Sequence, residues 1–179
     1  MGVNSRGNYL AHNFSGLPNV EIAYICDVED GAIKKGLDAV KDAKRQPTVI
    51  KDIRKLLEKK DFDGLIIAAP DHWHAPAAII AAAHGKHVYV EKPCGQNPYE
   101  GELISQAYHK YGKHIQMGNQ RRSFPQLIEA VQSVRDGLIG TPYFGKAWYT
   151  NNRTSIGIGK KIPVPSTLDF ELWQGPAPR

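Results

Sequence analysis

Residues 63–93 read DGLIIAAPDHWHAPAAIIAAAHGKHVYVEKP, and this stretch decides the fold. Its first part, 63–69, is almost entirely apolar, which predicts a parallel strand that is covered on both faces. Asp71 is placed to cap the alanine-rich helix that follows, Gly85 to end it, and residues 87–90 to form a second strand. The order strand, helix, strand predicts a doubly wound α/β fold with a parallel sheet.

Polar residues follow both strands at the point where each strand ends. Asp71, His72 and His74 come after the first strand, and Glu91 and Lys92 come after the second. In an open α/β sheet, ligands bind outside the carboxyl ends of the strands. We therefore expect the functional site at this edge of the sheet.

The N-terminal residues GVNSRG, 2–7, resemble the phosphate-binding pattern G-x-G-x-x-G with Asn4 in the middle position. Asn tolerates left-handed backbone conformations, so Asn4 is expected to keep the turn. The helix after Gly7 would then present its N-terminal amides to phosphates. An ordinary glycine-containing loop is the alternative interpretation.

Asp27 favours the nucleotide interpretation. It ends an apolar strand over 20–26 and lies 20 residues beyond Gly7, about the spacing at which an acidic residue binds the ribose hydroxyls of NAD. A carboxylate there would repel the 2′-phosphate of NADP. The sequence therefore favours NAD over NADP, although a neighbouring basic residue can reverse that preference.

The central strand of such a sheet should precede Gly2, and only Met1 does so. In the strand order 3-2-1-4-5-6, the second and fourth strands would then face each other across a gap. We expect the chain to be a fragment.

Composition and charge exclude several classes of protein. The formal charge of +5 and the basic stretch 51–60 fit a nucleotide partner, because Ile53, Leu56 and Leu57 mark that stretch as one amphipathic helix rather than a nucleic-acid patch. No apolar run approaches the roughly 20 residues of a membrane span, and no leader is visible. We expect no nucleic-acid or membrane partner and, by default, a cytoplasmic location, with periplasmic export of a longer form left open.

Cysteine and histidine give no sign of a metal. Cys26 reads as a buried small apolar residue, and Cys94 lies too far from it in sequence to form a Cys-x-x-Cys pair. No carboxylate or thiolate accompanies the histidines at ligand spacing; these are His72, His74, His84 and His87.

Further elements are read from periodicity and from glycine and proline positions. Helices are predicted over 8–14, 29–44, 98–111 and 124–136, and strands over 47–50, 113–117 and 142–150.

Four segments together resemble one family. APDHWH at 69–74, EKP at 91–93, GNQRR at 118–122 and LWQGPAP at 172–178 are similar to motifs of the Gfo/Idh/MocA family of nicotinamide-dependent sugar and cyclitol oxidoreductases. The resemblance implies a Rossmann domain over 1–123 without its first strand. Residues 124–179 would begin a truncated C-terminal substrate and oligomerisation domain with a large antiparallel sheet. The full-length form is expected to be a homo-oligomer.

The resemblance also assigns roles to residues. Lys92 of EKP would take the hydroxyl proton, and a histidine beyond Arg179 would be its partner. Lys92 would bind the substrate together with Asn119, Arg121 and Arg122. The positions expected to bind NAD are Gly2, Asn4, Arg6, Gly7, Asp27, Pro70, Asp71, His72, His74, Glu91, Pro93 and Asn119.

Three functions follow as hypotheses. The first is NAD-dependent oxidation of a sugar or cyclitol hydroxyl. The second is NAD-dependent glycoside hydrolysis, in which the cofactor is recycled. The third is an inactive, truncated member that only binds nucleotide.

Overall fold

The computed structural model describes residues 1–150 and 153–179. They form two compact units, residues 1–118 with 164–179 and residues 119–163. The helices and strands are α1 (Arg6–Ser15), β1 (Tyr24–Ile25), α2 (Asp30–Ala39), β2 (Thr48–Val49), α3 (Ile53–Leu57), β3 (Gly64–Ile67), α4 (His74–Ala83), β4 (His87–Glu91), α5 (Pro98–Tyr111), β5 (Ile115–Gly118), α6 (Pro125–Arg135) and α7 (Phe170–Gln174).

All strand pairs of the first unit are parallel. β3, β4 and β5 form one sheet in that order, and β1 and β2 form a second. Alternation of these strands with helices confirms the predicted α/β fold of Rossmann type. Most elements lie where the sequence predicts them, but the strand predicted over 20–26 pairs with β2 only at Tyr24 and Ile25.

The two sheets face each other across a cavity of about 900 Å³, whose walls include Ile25, Leu65 and Val88. Met1 and Gly2 bridge this cavity at the carboxyl ends of β1 and β3. The amide of Gly2 donates to the Cys26 carbonyl at 2.9 Å, and the Met1 carbonyl accepts from the Ala68 amide at 2.8 Å. Within residues 1–150 and 153–179, no strand lies between β1 and β3. The gap that the sequence predicts is therefore present.

One apolar core joins both sheets and α4. Ala77, Ala78 and Ala81 of α4 are fully buried, so the helix approaches the sheet closely. Cys26 is buried in the same core, as predicted. The predicted capping role of Asp71 is wrong: residues 71–73 form a 3₁₀ turn, and α4 begins at His74 without a side-chain cap.

The second unit contains α6 as its one long helix in the part of the chain that the structure describes. The strand predicted over 142–150 is wrong, because these residues take no regular structure and Tyr143 and Trp148 are exposed. Alternating aromatic residues form a strand only where a neighbouring strand accepts their backbone hydrogen bonds. The boundary at 123/124 and the antiparallel sheet remain predictions.

Among the described residues, no helix combines the length and the apolar character needed to cross a bilayer.

Gly36 tests the packing of α2. A Cβ at this position would lie 2.7 Å from Cγ2 of Val3, so we expect Gly36→Ala to lower the free energy of unfolding by about 1–3 kcal/mol. Gly101 in α5 is the matched control, because nothing lies within 4 Å of its added Cβ. Gly101→Ala should raise stability by about 0.5–1 kcal/mol. Urea unfolding followed by circular dichroism measures both variants, and equal effects would contradict this packing.

Candidate functional site

The turn before α1 packs tightly against the end of β3. Gly2 has a φ of +75°, and an added Cβ would lie 2.5 Å from the Ala69 amide nitrogen. A Cβ on Gly7 would overlap the carbonyl oxygen of Gly2. Only glycine fits at these positions, which are the first and last glycines of the pattern and serve its tight turn and the close packing of the helix on the strand.

Asn4 does not use the left-handed conformation that asparagine tolerates. Among the described non-glycine residues, only Asn19 has a positive φ. The side-chain oxygen of Asn4 instead accepts a hydrogen bond from Lys35 Nζ at 2.7 Å. Gly2 therefore supplies the conformational freedom that the turn requires.

Asp27 follows β1 and is fixed by backbone amides. Its Oδ2 accepts from the Val3 amide at 2.7 Å, and its Oδ1 accepts from the amides of Val28 at 2.7 Å and Glu29 at 3.1 Å. A carboxylate has about four lone-pair sites, so accepting capacity remains for ribose hydroxyls. The carboxylate is held in place next to the turn.

A cavity of about 440 Å³ lies at this edge of the sheets, within the range of about 300–1,000 Å³ that small-molecule sites occupy. Predicted residues in its wall are Gly2, Asn4, Arg6, Asp27 and Pro70. Trp73 of the APDHWH segment, expected to pack or to form part of the pocket wall, lies in the wall as well. Further wall residues that the sequence did not indicate include Lys51, Ile53, Leu168, Leu172 and Trp173. Lys51 and Ile53 follow β2, so the rule that ligands bind at strand ends could have found them.

Glu91, the last residue of β4, is linked to the N-terminal turn. It is 5% exposed, and its Oε1 accepts from Arg6 Nε at 2.7 Å. This hydrogen bond raises the pKa of the Arg6 guanidinium. Tyr89 lies beside the pair, and burial raises the pKa of its hydroxyl. The ion pair thus connects two segments that the sequence assigns separately to the cofactor.

His74 joins the loops that follow β3 and β4. It is 2% exposed, and its ring nitrogens face the carbonyl oxygens of Ala69 at 2.8 Å and Pro93 at 2.5 Å. Because both ring nitrogens have backbone partners, His74 acts here as a positioning residue for the turn that carries Lys92. A direct contact of His74 with cofactor stays a prediction.

The remaining predicted residues lie around the cavity or in the second unit. Lys92 is exposed at the end of β4 and, like Gly7, Asp71, His72, Glu91 and Pro93, is not among the described residues that line this cavity. Asn119, Arg121 and Arg122 belong to the second unit and are exposed. Their roles remain predictions.

Across the portion of the chain that the structure describes, no three His, Cys, Asp or Glu side chains are grouped closely enough to hold a metal ion.

The fold and this site define a dinucleotide-binding protein of the Rossmann class. The chain belongs to the Gfo/Idh/MocA oxidoreductase family with its NAD-binding Rossmann fold, whose profile matches residues 2–119. This confirms the resemblance that the sequence motifs indicate.

Relatives of the chain carry two kinds of name. A glycosyl hydrolase family 109 protein of Saccharopolyspora erythraea is 33% identical over 89% of this chain and 36% of that protein. An α-N-acetylgalactosaminidase of Shewanella oneidensis is 30% identical over 83% of this chain and 34% of that protein. The uncharacterised oxidoreductase YrbE of Bacillus subtilis is 28% identical over 98% of this chain and 47% of that protein. The chain thus spans about a third to a half of these relatives' length.

A solved structure adds to this comparison. Scyllo-inositol dehydrogenase of Lactobacillus casei, solved with bound NAD(H) and scyllo-inositol, superposes with a TM-score of 0.69 and 25% identity. The superposition covers 78% of this chain and 40% of that chain.

The Arg6–Glu91 pair is testable by substitution. Arg6→Ala leaves the buried Glu91 carboxylate without its cation, so we expect the free energy of unfolding to fall by about 1.5–3 kcal/mol. Arg54→Ala is the control, because Arg54 pairs with Asp52 while 72% of its side chain is exposed, and its loss should cost about 1 kcal/mol or less. Adding Glu91→Gln to Arg6→Ala should recover part of the loss. Equal losses in the two single variants, measured by urea unfolding, would contradict a structural role for the pair.

Proposed function

We propose that the chain forms the NAD-binding part of an oxidoreductase that oxidises a hydroxyl of a sugar or cyclitol. One observation carries the proposal: the glycine turn and the anchored carboxylate of Asp27 line the same cavity at the carboxyl ends of parallel strands. These are the groups that a pyrophosphate and an adenosine ribose require. The name of the scyllo-inositol dehydrogenase supports a cyclitol as substrate class.

NAD is preferred to NADP in this proposal. The cavity wall contains the basic residues Lys51 and Arg6; Lys51 is paired with Asp30 at 2.6 Å and Arg6 with Glu91 at 2.7 Å. Their charges are therefore partly offset, and the Asp27 carboxylate remains unfavourable for a 2′-phosphate.

Lys92 is proposed as the acid–base group. The bound nicotinamide would accept the hydride, and the Lys92 amine would take the proton from the substrate hydroxyl. The backbone around Lys92 is held on both sides, by the Arg6–Glu91 pair before it and by the hydrogen bond from His74 to the Pro93 carbonyl after it. Such fixed positioning is what proton transfer at short distance needs.

A second candidate function is NAD-dependent glycoside hydrolysis. The two relatives of 30–33% identity quoted above are named as glycosidases, which supports this reading directly. Accumulation of NADH separates the two functions, because a dehydrogenase releases reduced cofactor and the hydrolase recycles it. For the whole protein we also propose a homo-oligomer.

Asp27 tests the cofactor assignment. Asp27→Asn replaces the carboxylate that would accept hydrogen bonds from the ribose hydroxyls with a neutral amide. We therefore expect NAD affinity to fall about 10- to 100-fold, while NADP affinity falls less. Asp38→Asn is the control, since Asp38 is exposed and pairs with Lys34 within α2. Titration calorimetry measures both cofactors. Unchanged NAD affinity in Asp27→Asn, or an equal loss in Asp38→Asn, would contradict the assignment.

Lys92 tests the chemistry in the full-length protein. Lys92→Ala should lower kcat by about 10²- to 10⁴-fold, as expected for the loss of a general base. NAD affinity should be unchanged, because Lys92 does not line the cofactor cavity among the described residues. Lys60→Ala, on the exposed side of the loop after α3, is the control.

Two readouts measure the activity of the full-length protein and of its Lys92→Ala variant. The first is NADH absorbance with scyllo-inositol or myo-inositol, and the second is release of nitrophenol from nitrophenyl α-N-acetylgalactosaminide. NADH formation supports the dehydrogenase, whereas hydrolysis that requires NAD without net NADH supports the second candidate. Full activity of Lys92→Ala would rule out its proposed role.

A further inference from the structure

Residues 167–175 run along the cavity that holds Asp27, and we call them the cofactor strap. At its first end, the strap is bonded to the loop between β1 and α2. The amide of Asp30 donates to the Thr167 carbonyl at 3.1 Å, and the amide of Asp169 donates to the Val28 carbonyl at 3.0 Å. The strap therefore starts beside the residues proposed to bind ribose.

At its second end, the strap is bonded to the 3₁₀ turn that follows β3. The indole Nε1 of Trp73 donates to the carbonyl oxygens of Leu172 at 3.1 Å and Trp173 at 3.0 Å. His72 Nε2 lies 2.8 Å from the same Trp173 carbonyl. Gly175 packs directly on the Trp73 ring, where a Cβ would overlap the indole. The strap is thus fastened on both sides of the cavity.

Between these two ends, the strap presents apolar side chains to the cavity. Leu168, Leu172 and Trp173 line it together with Ile53 and residues of the N-terminal turn. The wall beside the Asp27 carboxylate is therefore apolar and aromatic, and a purine base packs on such a surface.

The ring of Trp173 is also held in place. It stacks on Phe170 with ring centroids 5.7 Å apart, and the ring of His72 meets it edge-on at 5.4 Å. A fixed ring loses little conformational freedom when a base binds, which favours tight binding.

We propose that the cofactor strap covers the adenosine half of the dinucleotide and slows its release. This inference rests on the proposed function, because it takes NAD as the ligand. The base would lie against Leu168, Leu172 and Trp173, and the hydrogen bonds at the two ends would have to open before the cofactor leaves. Release of NADH would then limit the turnover of a dehydrogenase, whereas a hydrolase that recycles its cofactor in place would avoid this limit.

Gly175 offers a test from outside the cavity wall. Gly175→Ala places a methyl group on the Trp73 indole and unfastens the second end of the strap. We expect the NADH dissociation rate, measured by stopped-flow displacement with excess NAD, to rise about tenfold or more, since the hydrogen bonds of that end are lost. Gly137→Ala is the matched control: its φ of +89° carries the same kind of backbone strain, but nothing lies within 4 Å of its added Cβ.

A second measurement needs no variant and uses the unmodified chain. Hydrogen exchange of the peptide that contains residues 164–179 reports the amides of Asp169, Trp173 and Gly175, which are hydrogen-bonded in the closed strap. Saturating NADH should slow their exchange about tenfold, because the bound base favours the closed state.

The outcomes separate the strap from the proposed function. Faster release in Gly175→Ala alone, with NADH-dependent protection of 164–179, supports the strap. Normal NADH binding with equal release rates and no protection overturns the strap and leaves the cofactor assignment intact. If Gly175→Ala does not fold, the exchange measurement on the unmodified chain decides. Absence of NADH binding to the unmodified chain overturns both proposals.

Discussion

The site depends on a small set of backbone hydrogen bonds at the N-terminus. The Gly2 amide donates to the carbonyl of Cys26, which follows β1, at 2.9 Å, and the amide of Ala68, which follows β3, donates to the Met1 carbonyl at 2.8 Å. These are the bonds that hold the carboxyl ends of β1 and β3 on either side of the glycine turn. Because a Cβ on Gly2 would strike Ala69, the turn can occupy this place only with glycine. The cavity that we assign to the cofactor is built around this junction.

Polar contacts hold the proposed site residues in place around this junction. Asp27 is held by three amides, Glu91 by the guanidinium of Arg6, and the loop after Lys92 by the ring of His74. The contacts of Asp27 with Val3, of Glu91 with Arg6 and of Pro93 with His74 each tie a strand end to another segment, so the arrangement is pre-organised before a ligand binds. Pre-organised groups bind and react better because less ordering is required on binding. Lys92 itself is exposed, and its proposed role as the acid–base group requires such access.

The sequence predicts the parts of this fold that depend on residues close together in the chain. β3 and β4 appear as apolar runs because strands covered on both faces need apolar residues. The spacing of Asp27 from Gly7 predicts it as a ribose ligand, and the structure places it in the cavity wall. The strand over 142–150 was wrong because alternation reports a half-buried face but cannot report whether a partner strand is present.

Contacts over long sequence distances could not be read from such patterns. Arg6 and Glu91 are 85 residues apart, and the strap returns to His72 from 101 residues away. The partners of His74 are backbone carbonyls, which every residue possesses. The sequence therefore cannot distinguish a structural hydrogen bond of His74 from a contact with a ligand. The sequence also gives no sign that Leu168 and Leu172 lie in the cavity wall, because their position depends on the return of the chain to the first unit.

The measurement that tests the account most directly is a backbone amide NMR titration of the chain with NAD. We expect the largest chemical-shift changes on the amides of residues 2–7 and of Val28 and Glu29, at the cavity that contains Asp27. Changes confined to other parts of the chain, or no changes at saturating NAD, would contradict it.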